Sequence, residues 1–265
     1  MSNIKATFEN LKTSGRTALM PYVTMGYPAS QSALDVIPAI VEAGADLIEL
    51  GVPFSDPLAD GAVIQAASQQ ALANGMTLDI CLDEAAALRS RGIATPFVLM
   101  SYYNPILQMG LERFARRAAA SGIDGIIVPD LPPEESDALH TTLEPYGIDP
   151  VLLLAPTSDD DRLRLIADQS RGFLYLVSLT GTTGARNRLP AELESFCQRV
   201  RAATDLPLAV GFGIGTPAQA ARVARVADGV IVGSALIKAL EQGEPAASAH
   251  AFVLSLRQGI DSDRS

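Results

Sequence analysis

The sequence predicts a single (β/α)8 TIM barrel, an α/β fold in which eight parallel strands alternate with helices. Eight short apolar runs rich in branched residues recur along the chain, and segments with helical periodicity separate them. Of the 265 residues, 48% are hydrophobic and 19% are charged, so the chain can bury a large core. This length is common for an α/β barrel. A doubly wound open sheet is the alternative.

Each apolar run is interpreted as one strand. The predicted strands cover residues 18–24, 47–51, 97–103, 125–129, 151–155, 173–178, 208–213 and 229–233. The predicted helices cover residues 31–42, 62–73, 78–89, 111–120, 134–143, 160–167, 191–201 and 217–223, and a further helix opens at Ser234. An N-terminal helix precedes the first strand, and two helical segments fall between the second and third strands. We therefore expect extra helical segments around the basic barrel.

The joints between helices and strands resemble one another. Three of them place an aspartate just before an apolar strand: Asp46, Asp124 and Asp228. Gly44 and Gly122 suit the ends of the preceding helices, where a positive φ is common. This self-similarity favours a repeated unit. Because no linker rich in Pro, Gly or Ser divides the chain, we expect one barrel domain over residues 1–265.

The charge balance and the rare side chains exclude several functions. A net charge of −10 disfavours binding to nucleic acids and to anionic membranes. Cys81 and Cys197 lie far apart, which predicts two buried thiols, no metal site and a reducing, cytoplasmic setting. No segment resembles a targeting signal or a membrane span. His140 and His250 lack a nearby catalytic arrangement, so proton chemistry near neutral pH must use carboxylates or tyrosines.

Two loops that follow predicted strands are unusually long, at residues 52–61 and 178–190. Long loops inside compact domains are commonly functional, and in a barrel both would leave from the face that carries the activity. The second loop is rich in Gly, Thr and Arg. We expect it to be mobile when the site is empty and ordered by substrate and partner.

Glu49 is the first candidate catalytic residue, because it stands in a strand where the equivalent positions of two sister strands hold Ile127 and Ile231. Strand alternation puts Leu47, Glu49 and Gly51 on one face, so Glu49 should point into the barrel near its mouth. Burial raises the pKa of a carboxyl group and allows it to give and take protons. A buried glutamate satisfied by the backbone or by a tyrosine hydroxyl, with no catalytic duty, is an equally open interpretation.

Asp60 is the second candidate, in the long loop that follows the same strand. It could return over the mouth and present a second carboxylate. The same loop sequence also suits a helix N-cap, with Asp60 capping the helix that starts near Gly61. The residues alone favour the cap.

Glycine-rich segments late in the chain indicate a phosphate site. GFGIGT follows the seventh strand, VGSALI follows the eighth and opens a helix, and TGTTGA lies in the second long loop. Phosphate sites of many barrels use the loops after strands seven and eight, where backbone N–H groups and a helix N-terminus face the anion. The glycines could instead serve only as tight turns. GFGIG is not a dinucleotide-binding fingerprint.

Five segments together resemble the tryptophan synthase alpha chain family over essentially the whole sequence. They are DLIELGVPFSDPLADG (46–61), MSYYNPI (100–106), GIIVPDLPPEE (125–135), TGTTGAR (180–186) and GFGIGTP (211–217). The resemblance implies a carbon–carbon lyase of tryptophan biosynthesis that splits indole-3-glycerol phosphate into indole and glyceraldehyde 3-phosphate by a retro-aldol reaction.

The resemblance also implies roles for individual residues. Glu49 would shuttle the proton, Asp60 would bind and polarise the indole nitrogen, and Tyr175 would orient Glu49. The remaining substrate-binding positions would be Tyr22, Met100, Tyr102 and Phe212 in the indole pocket, Thr183 and Gly184 in the lid, and Gly213, Gly233 and Ser234 in the phosphate cradle. Tyr22, Met25, Tyr27 and Met100 depart from the residues common in the family, which bears on substrate affinity more than on the type of reaction.

The resemblance further implies a partner, a beta chain that carries pyridoxal phosphate, in a tetramer of two alpha and two beta chains. This chain would then hold no cofactor of its own. The corresponding docking motifs contain Pro53, Asp56, Asn104 and Asp130, although ordinary loop geometry also explains these residues. Two other functions remain open: a catalytically silent phosphate-binding module that activates its partner, and a barrel enzyme of the sugar-phosphate isomerase type.

Overall fold

The computed structural model describes residues 2–177, 189–211 and 213–262, and within these ranges it contains one parallel sheet of nine strands. The strands are β1 (Ala18–Thr24), β2 (Ile48–Gly51), β3 (Phe97–Met100), β4 (Gly125–Ile127), β5 (Asp149–Pro150), β6 (Leu153–Leu154), β7 (Leu174–Val177), β8 (Leu208–Gly211) and β9 (Gly229–Val232). Their order in the sheet is β5-β4-β3-β2-β1-β9-β8-β7-β6. The predicted parallel barrel is confirmed.

Helices follow the strands on the outside. They are α1 (Asn3–Thr13), α2 (Ala33–Glu42), α3 (Ala62–Ala73), α4 (Leu78–Ser90), α5 (Tyr103–Met109), α6 (Leu111–Ala120), α7 (Asp137–Leu143), α8 (Asp160–Gln169), α9 (Leu189–Arg201), α10 (Pro217–Ala224), α11 (Ser234–Leu240) and α12 (Pro245–Ser262). Local sequence sets several of their ends. Thr77 caps α4 through its side chain, and Thr216 and Gln219 form a reciprocal capping box at α10.

The ring closes through the segment at residues 149–154, where one strand was predicted at 151–155 and two short strands occur instead. β5 pairs with β4, and β6 pairs with β7. The connecting residues continue both ladders, because Val151 N–H donates to Ile126 and Tyr175 N–H donates to Leu152. The first half of the segment therefore pairs with β4 and the second half with β7. Together the two halves occupy the fifth position of an eight-stranded barrel.

The strands turn alternate side chains into the barrel and out toward the helices. The inward group contains Ala18, Met20, Leu47, Val98, Ile127, Val151, Phe173, Ala209 and Ile231. Helix α1 closes the amino-terminal end of the barrel, because Ile4, Phe8 and Leu11 belong to the same buried cluster. The rings of Phe8 and Phe173 lie 5.7 Å apart. The barrel interior next to α1 is therefore a packed apolar core.

The three aspartates of the repeated joints share one structural role. Asp46, Asp124 and Asp228 accept hydrogen bonds from N–H groups at the start of neighbouring strands, at Leu19, Phe97 and Leu208 respectively, at 2.8–2.9 Å. Each is also paired with arginine: Asp46 with Arg257 and Arg16, Asp124 with Arg89, and Asp228 with Arg201. The self-similarity seen in the sequence therefore reflects a repeated clamp between adjacent strands.

Two other predicted segments differ from the structure. The third strand was predicted to reach residue 103 but ends at Met100, and α5, which was not predicted, begins at Tyr103. Asp130 causes this change, because its carboxylate accepts the Tyr103 N–H at 2.9 Å and caps the new helix. The predicted helix 134–143 is divided into the one-turn 3-10 helix Pro133–Glu135 and α7.

Several other expectations were tested. Gly44 and Gly122 have φ values of +99° and +73°, as their positions after helices predicted. Cys81 and Cys197 are free and buried. Within the described part of the chain, no helix is both long enough and apolar enough to span a membrane. The same residues contain no cluster of His, Cys, Asp and Glu that could hold a metal ion.

Candidate active site

Glu49 lies on the inward face of β2, directly between Tyr22 of β1 and Val98 of β3 in the strand register. Its exposed fraction is 0%, and neither carboxylate oxygen has a hydrogen-bond partner among the described residues. Burial raises the pKa of Glu49 from 4.5 to about 8. The side chain therefore carries a proton at neutral pH. Among the described residues, neither the backbone nor a tyrosine hydroxyl forms the hydrogen bond that the non-catalytic interpretation expected for Glu49.

Asp60 lies in the loop between β2 and α3, and its side chain does not cap the helix. Gly61 occupies the N-cap position of α3, which has no side-chain cap. One carboxylate oxygen of Asp60 instead accepts a hydrogen bond from the Tyr102 hydroxyl at 3.1 Å. Burial raises the pKa of Asp60 to about 6, and the Tyr102 hydrogen bond partly opposes this rise. Asp60 is thus mostly ionised at neutral pH, whereas Glu49 is mostly protonated.

Tyr22 and Tyr175 each lie over a glycine at the end of the next strand in the sheet. The Tyr22 ring covers Gly51, and the Tyr175 ring covers Gly211, so that a Cβ atom at either glycine would overlap a tyrosine hydroxyl. Burial raises the pKa of both tyrosines, and the negative charges of Asp60 and Glu49 raise it further. Both carboxylates therefore interact electrostatically with the same two tyrosine hydroxyl groups at the mouth of the barrel.

The remaining pocket wall is apolar. Tyr22 packs with Ala67 of α3 and Ile237 of α11, and Val63, Ile64 and Met100 border this cluster. Met100 also borders the interior cluster below. Glu49 therefore sits where the packed core ends and a wall of aromatic and aliphatic side chains begins. A flat apolar group of a ligand would bury its surface there.

The glycine features lie beside this wall. Gly233 is the N-cap of α11, has no side-chain cap, and lies against the Tyr22 side chain, with a virtual Cβ 3.6 Å from it. Ser234 is exposed at the first position of that helix. Gly213 is exposed and has a φ of +44°, a conformation that suits glycine. Backbone N–H groups at this end of the barrel are thus accessible beside the mouth.

Three predicted site residues, Thr183, Gly184 and Phe212, and nearly all of the predicted lid lie outside the described residues. Of the other predicted substrate-binding residues, five lie at or just after the carboxyl ends of strands: Met100, Tyr102, Gly213, Gly233 and Ser234. Tyr22 and Tyr175 lie within β1 and β7, and their rings lie over the last glycines of β2 and β8. His140 and His250 belong to α7 and α12 on the outside of the barrel.

The predicted docking residues follow three neighbouring strands, β2, β3 and β4. Asp56 and Asn104 are exposed, whereas Pro53 is buried within this chain. Asp130 is exposed and also holds the start of α5.

Sequence reasoning missed Phe54, whose ring stacks on Tyr102 with 5.0 Å between the ring centroids. The signal in the sequence was that Phe54 is the one aromatic side chain in the loop 52–61.

A parallel (β/α)8 barrel with a protonated and an ionised carboxyl group at its mouth defines an acid/base enzyme of the barrel class. A model of the tryptophan synthase alpha chain family matches residues 8–259. The chain belongs to the tryptophan synthase alpha chain family. As a member, it is a carbon–carbon lyase of tryptophan biosynthesis that cleaves indole-3-glycerol phosphate. This assignment leaves the isomerase alternative without support.

Individual relatives agree with the family. The chain is 54% identical to the tryptophan synthase alpha chain of Roseiflexus sp. (strain RS-1) over 260 residues, which cover 97% of this chain and 100% of the relative. It is 49% identical to that of Geobacter sulfurreducens over 98% of this chain and 99% of the relative. The crystal structure of tryptophan synthase subunit alpha from Legionella pneumophila str. Paris superimposes with a TM-score of 0.93 at 40% identity, covering 99% of both chains.

Proposed function

We propose that Glu49 is the proton shuttle and Asp60 the indole-binding group in the cleavage of indole-3-glycerol phosphate. The observation that carries this proposal is the buried, unpartnered carboxyl group of Glu49 at the mouth of the barrel. A general acid works best when its pKa lies near the operating pH. With a pKa of about 8, Glu49 holds a proton ready for transfer and can take one back.

Glu49 first gives its proton to C3 of the indole ring, and the ring nitrogen takes up the positive charge through a C=N bond. The ionised Glu49 then removes the proton from the side-chain hydroxyl next to C3. The C–C bond breaks as the aldehyde forms, and its electron pair restores the aromatic ring. One proton enters at C3 and one leaves the hydroxyl, so that Glu49 ends in its starting state.

Asp60 accepts the indole N–H in this scheme. Because the pKa of Asp60 is about 6, it is negatively charged at neutral pH and attracts the positive charge that develops on the ring nitrogen. Opposite protonation states in two carboxyl groups, set by different surroundings, are a recurring solution in acid/base enzymes.

For the described residues, the remaining proposed contacts follow from their positions at the mouth. Tyr22, Met100, Tyr102 and Tyr175 would enclose the indole ring, and Tyr175 would orient Glu49. The family resemblance alone adds Phe212 to this group. Gly213, Gly233 and Ser234 would hold the phosphate through backbone N–H groups and the start of α11. Thr183 and Gly184 would belong to the lid, an assignment that depends on the family resemblance alone.

Membership of the alpha chain family implies a beta-chain partner. We propose that docking uses the loops after β2, β3 and β4, with Asp56, Asn104 and Asp130 at the interface and buried Pro53 shaping the first loop. Two large apolar side chains in this region are exposed, Leu58 at 92% and Leu107 at 48%, as expected for a surface that a partner covers. We further propose a tetramer of two alpha and two beta chains, with pyridoxal phosphate bound by the beta chain and no cofactor in this chain.

The pH dependence of kcat/KM for indole release tests the proposed roles. Activity should require ionised Asp60 and protonated Glu49, so the profile should rise through a pKa near 6, peak near pH 7 and fall through a pKa near 8. Asp60→Asn should abolish the rise of kcat/KM near pH 6, which is the acid limb of the profile, together with most of the activity. A profile in the wild-type protein that is flat between pH 5.5 and 8.5 would contradict the assignment.

A further inference from the structure

Tyr102 occupies a junction between β3, α5 and the loop that carries Asp60. It follows β3 closely and is the N-cap residue of α5. Only 4% of the residue is exposed. The face of its ring stacks on Phe54 with 5.0 Å between ring centroids and an angle of 25° between planes. The ring is therefore fixed against the loop between β2 and α3.

The hydroxyl group of Tyr102 uses both of its hydrogen-bonding functions on that loop. It donates to the Asp60 carboxylate at 3.1 Å and accepts the Ala59 N–H at 2.9 Å. A phenol has one proton to donate. Because the Ala59 N–H occupies an acceptor position of the oxygen, the proton is directed to Asp60.

The backbone around Tyr102 is fixed from the opposite side. Ser101 N–H donates to Ile127 of β4 at 3.0 Å, and Tyr103 N–H donates to Asp130 at 2.9 Å. The backbone on both sides of Tyr102 is thus attached to β4 and to the loop that follows β4. Asp60, by contrast, lies in a loop whose own backbone does not belong to the sheet.

We propose that Tyr102 is a positioning residue that holds the Asp60 carboxylate in place for the indole N–H. This inference rests on the proposed role of Asp60 and assigns Tyr102 a function beyond lining the pocket. A donor to the ionised carboxylate also favours its charged form. Tyr102 therefore keeps Asp60 charged in a site where burial acts in the opposite direction.

Tyr102→Phe tests the proposal, because it removes the hydroxyl and keeps the ring on Phe54. Because a donor to the ionised carboxylate favours its charged form, losing the hydroxyl should move the acid limb of the kcat/KM profile upward by about one pH unit. The variant should then lose about fivefold in kcat/KM at pH 6 and less than twofold at pH 7.5. Tyr146→Phe, which removes the same group from an exposed tyrosine, is the control and should leave the profile unchanged.

A second measurement follows Asp60 without catalysis. In the full chain labelled with ¹³C at aspartate carboxyl carbons, the Asp60 signal is assigned by its loss in Asp60→Asn, and its titration should move upward in Tyr102→Phe. An unchanged titration and an unchanged acid limb would overturn the proposal for Tyr102. If Asp60→Asn itself keeps full activity, the role of Asp60 fails, which is a separate result.

Discussion

Replacing Glu49 by glutamine should remove a loss of stability that grows as the pH rises, and it should greatly lower the activity of the protein. Glutamine has nearly the same shape as glutamate and stays neutral at every pH. In the wild-type protein the carboxyl group is fully buried and has no partner among the described residues. The fold therefore opposes its ionisation. Only the wild-type protein, which has a carboxyl group to ionise, should lose stability for this reason as the pH rises.

The magnitude follows from the two pKa values. The pKa of Glu49 is about 8 in the folded chain, against an ordinary value of 4.5. Below pH 4.5 both states hold the proton, and the group has no pH-dependent effect. Between pH 4.5 and 8 unfolding releases a proton, so the free energy of unfolding falls by about 1.36 kcal/mol for each pH unit. The loss reaches about 3 kcal/mol at pH 7 and about 5 kcal/mol above pH 8.

Urea unfolding of both proteins at pH 4.5, 7 and 9 measures this difference. The stability of Glu49→Gln relative to the wild type should rise by about 3 kcal/mol from pH 4.5 to pH 7, whatever the constant effect of burying an amide. The exposed substitution Glu135→Gln is the matched control and should show no such rise.

Indole release is measured on the same samples. Loss of a general acid/base group typically lowers the rate by about 10²–10⁴-fold. A relative stability that does not change with pH would refute the reasoning about burial. Undiminished indole release would refute the catalytic assignment even if the stability behaves as expected.

Two further predictions concern the frame of the site. Gly51→Ala brings a methyl group into the hydroxyl of Tyr22 and should lower the free energy of unfolding by about 1–3 kcal/mol, whereas Gly61→Ala, which meets open space, should change it by less than about 0.5 kcal/mol. Equal effects in urea unfolding would contradict the overlap. Asp124→Ala removes the carboxylate partner of the mostly buried Arg89 guanidinium and the acceptor of the Phe97 N–H, and should lower the free energy of unfolding by about 3 kcal/mol. A loss no larger than that of exposed Asp161→Ala would show that the clamp is unimportant.

Local patterns were sufficient for much of the barrel and for one of its two carboxylates. Glu49 could be placed on the inward face because strand alternation has a fixed period of two. The family resemblance, and not the local pattern, pointed to Asp60, since the loop sequence favoured a helix cap. The cap was wrong because the acceptor position is filled from Tyr102, 42 residues further along the chain. The residues next to Asp60 in the sequence cannot indicate a hydrogen-bond partner that lies so far along the chain.

The same limit applies to α5 and to the fifth strand. The run 97–103 is apolar or aromatic apart from Ser101, so the pattern extended β3 too far. The strand ends early because Asp130, from the next strand loop, caps a helix at Tyr103. Likewise, the segment 149–154 pairs with β4 through its first half and with β7 through its second. This split pairing arises because the sheet closes into a barrel. The pattern of apolar residues along the sequence does not show where that closure occurs.

The sequence by itself determined the parallel direction of the strands, the side chains that face the interior, and the family to which the chain is similar. These properties follow from short-range periodicity and from segments that can be compared directly. Only the tertiary structure decided that Glu49 is protonated, that Asp60 is charged, and that Tyr102 lies between the strands and the loop. Protonation depends on how much water the surrounding groups exclude, and those groups come together from distant parts of the chain only when the barrel closes.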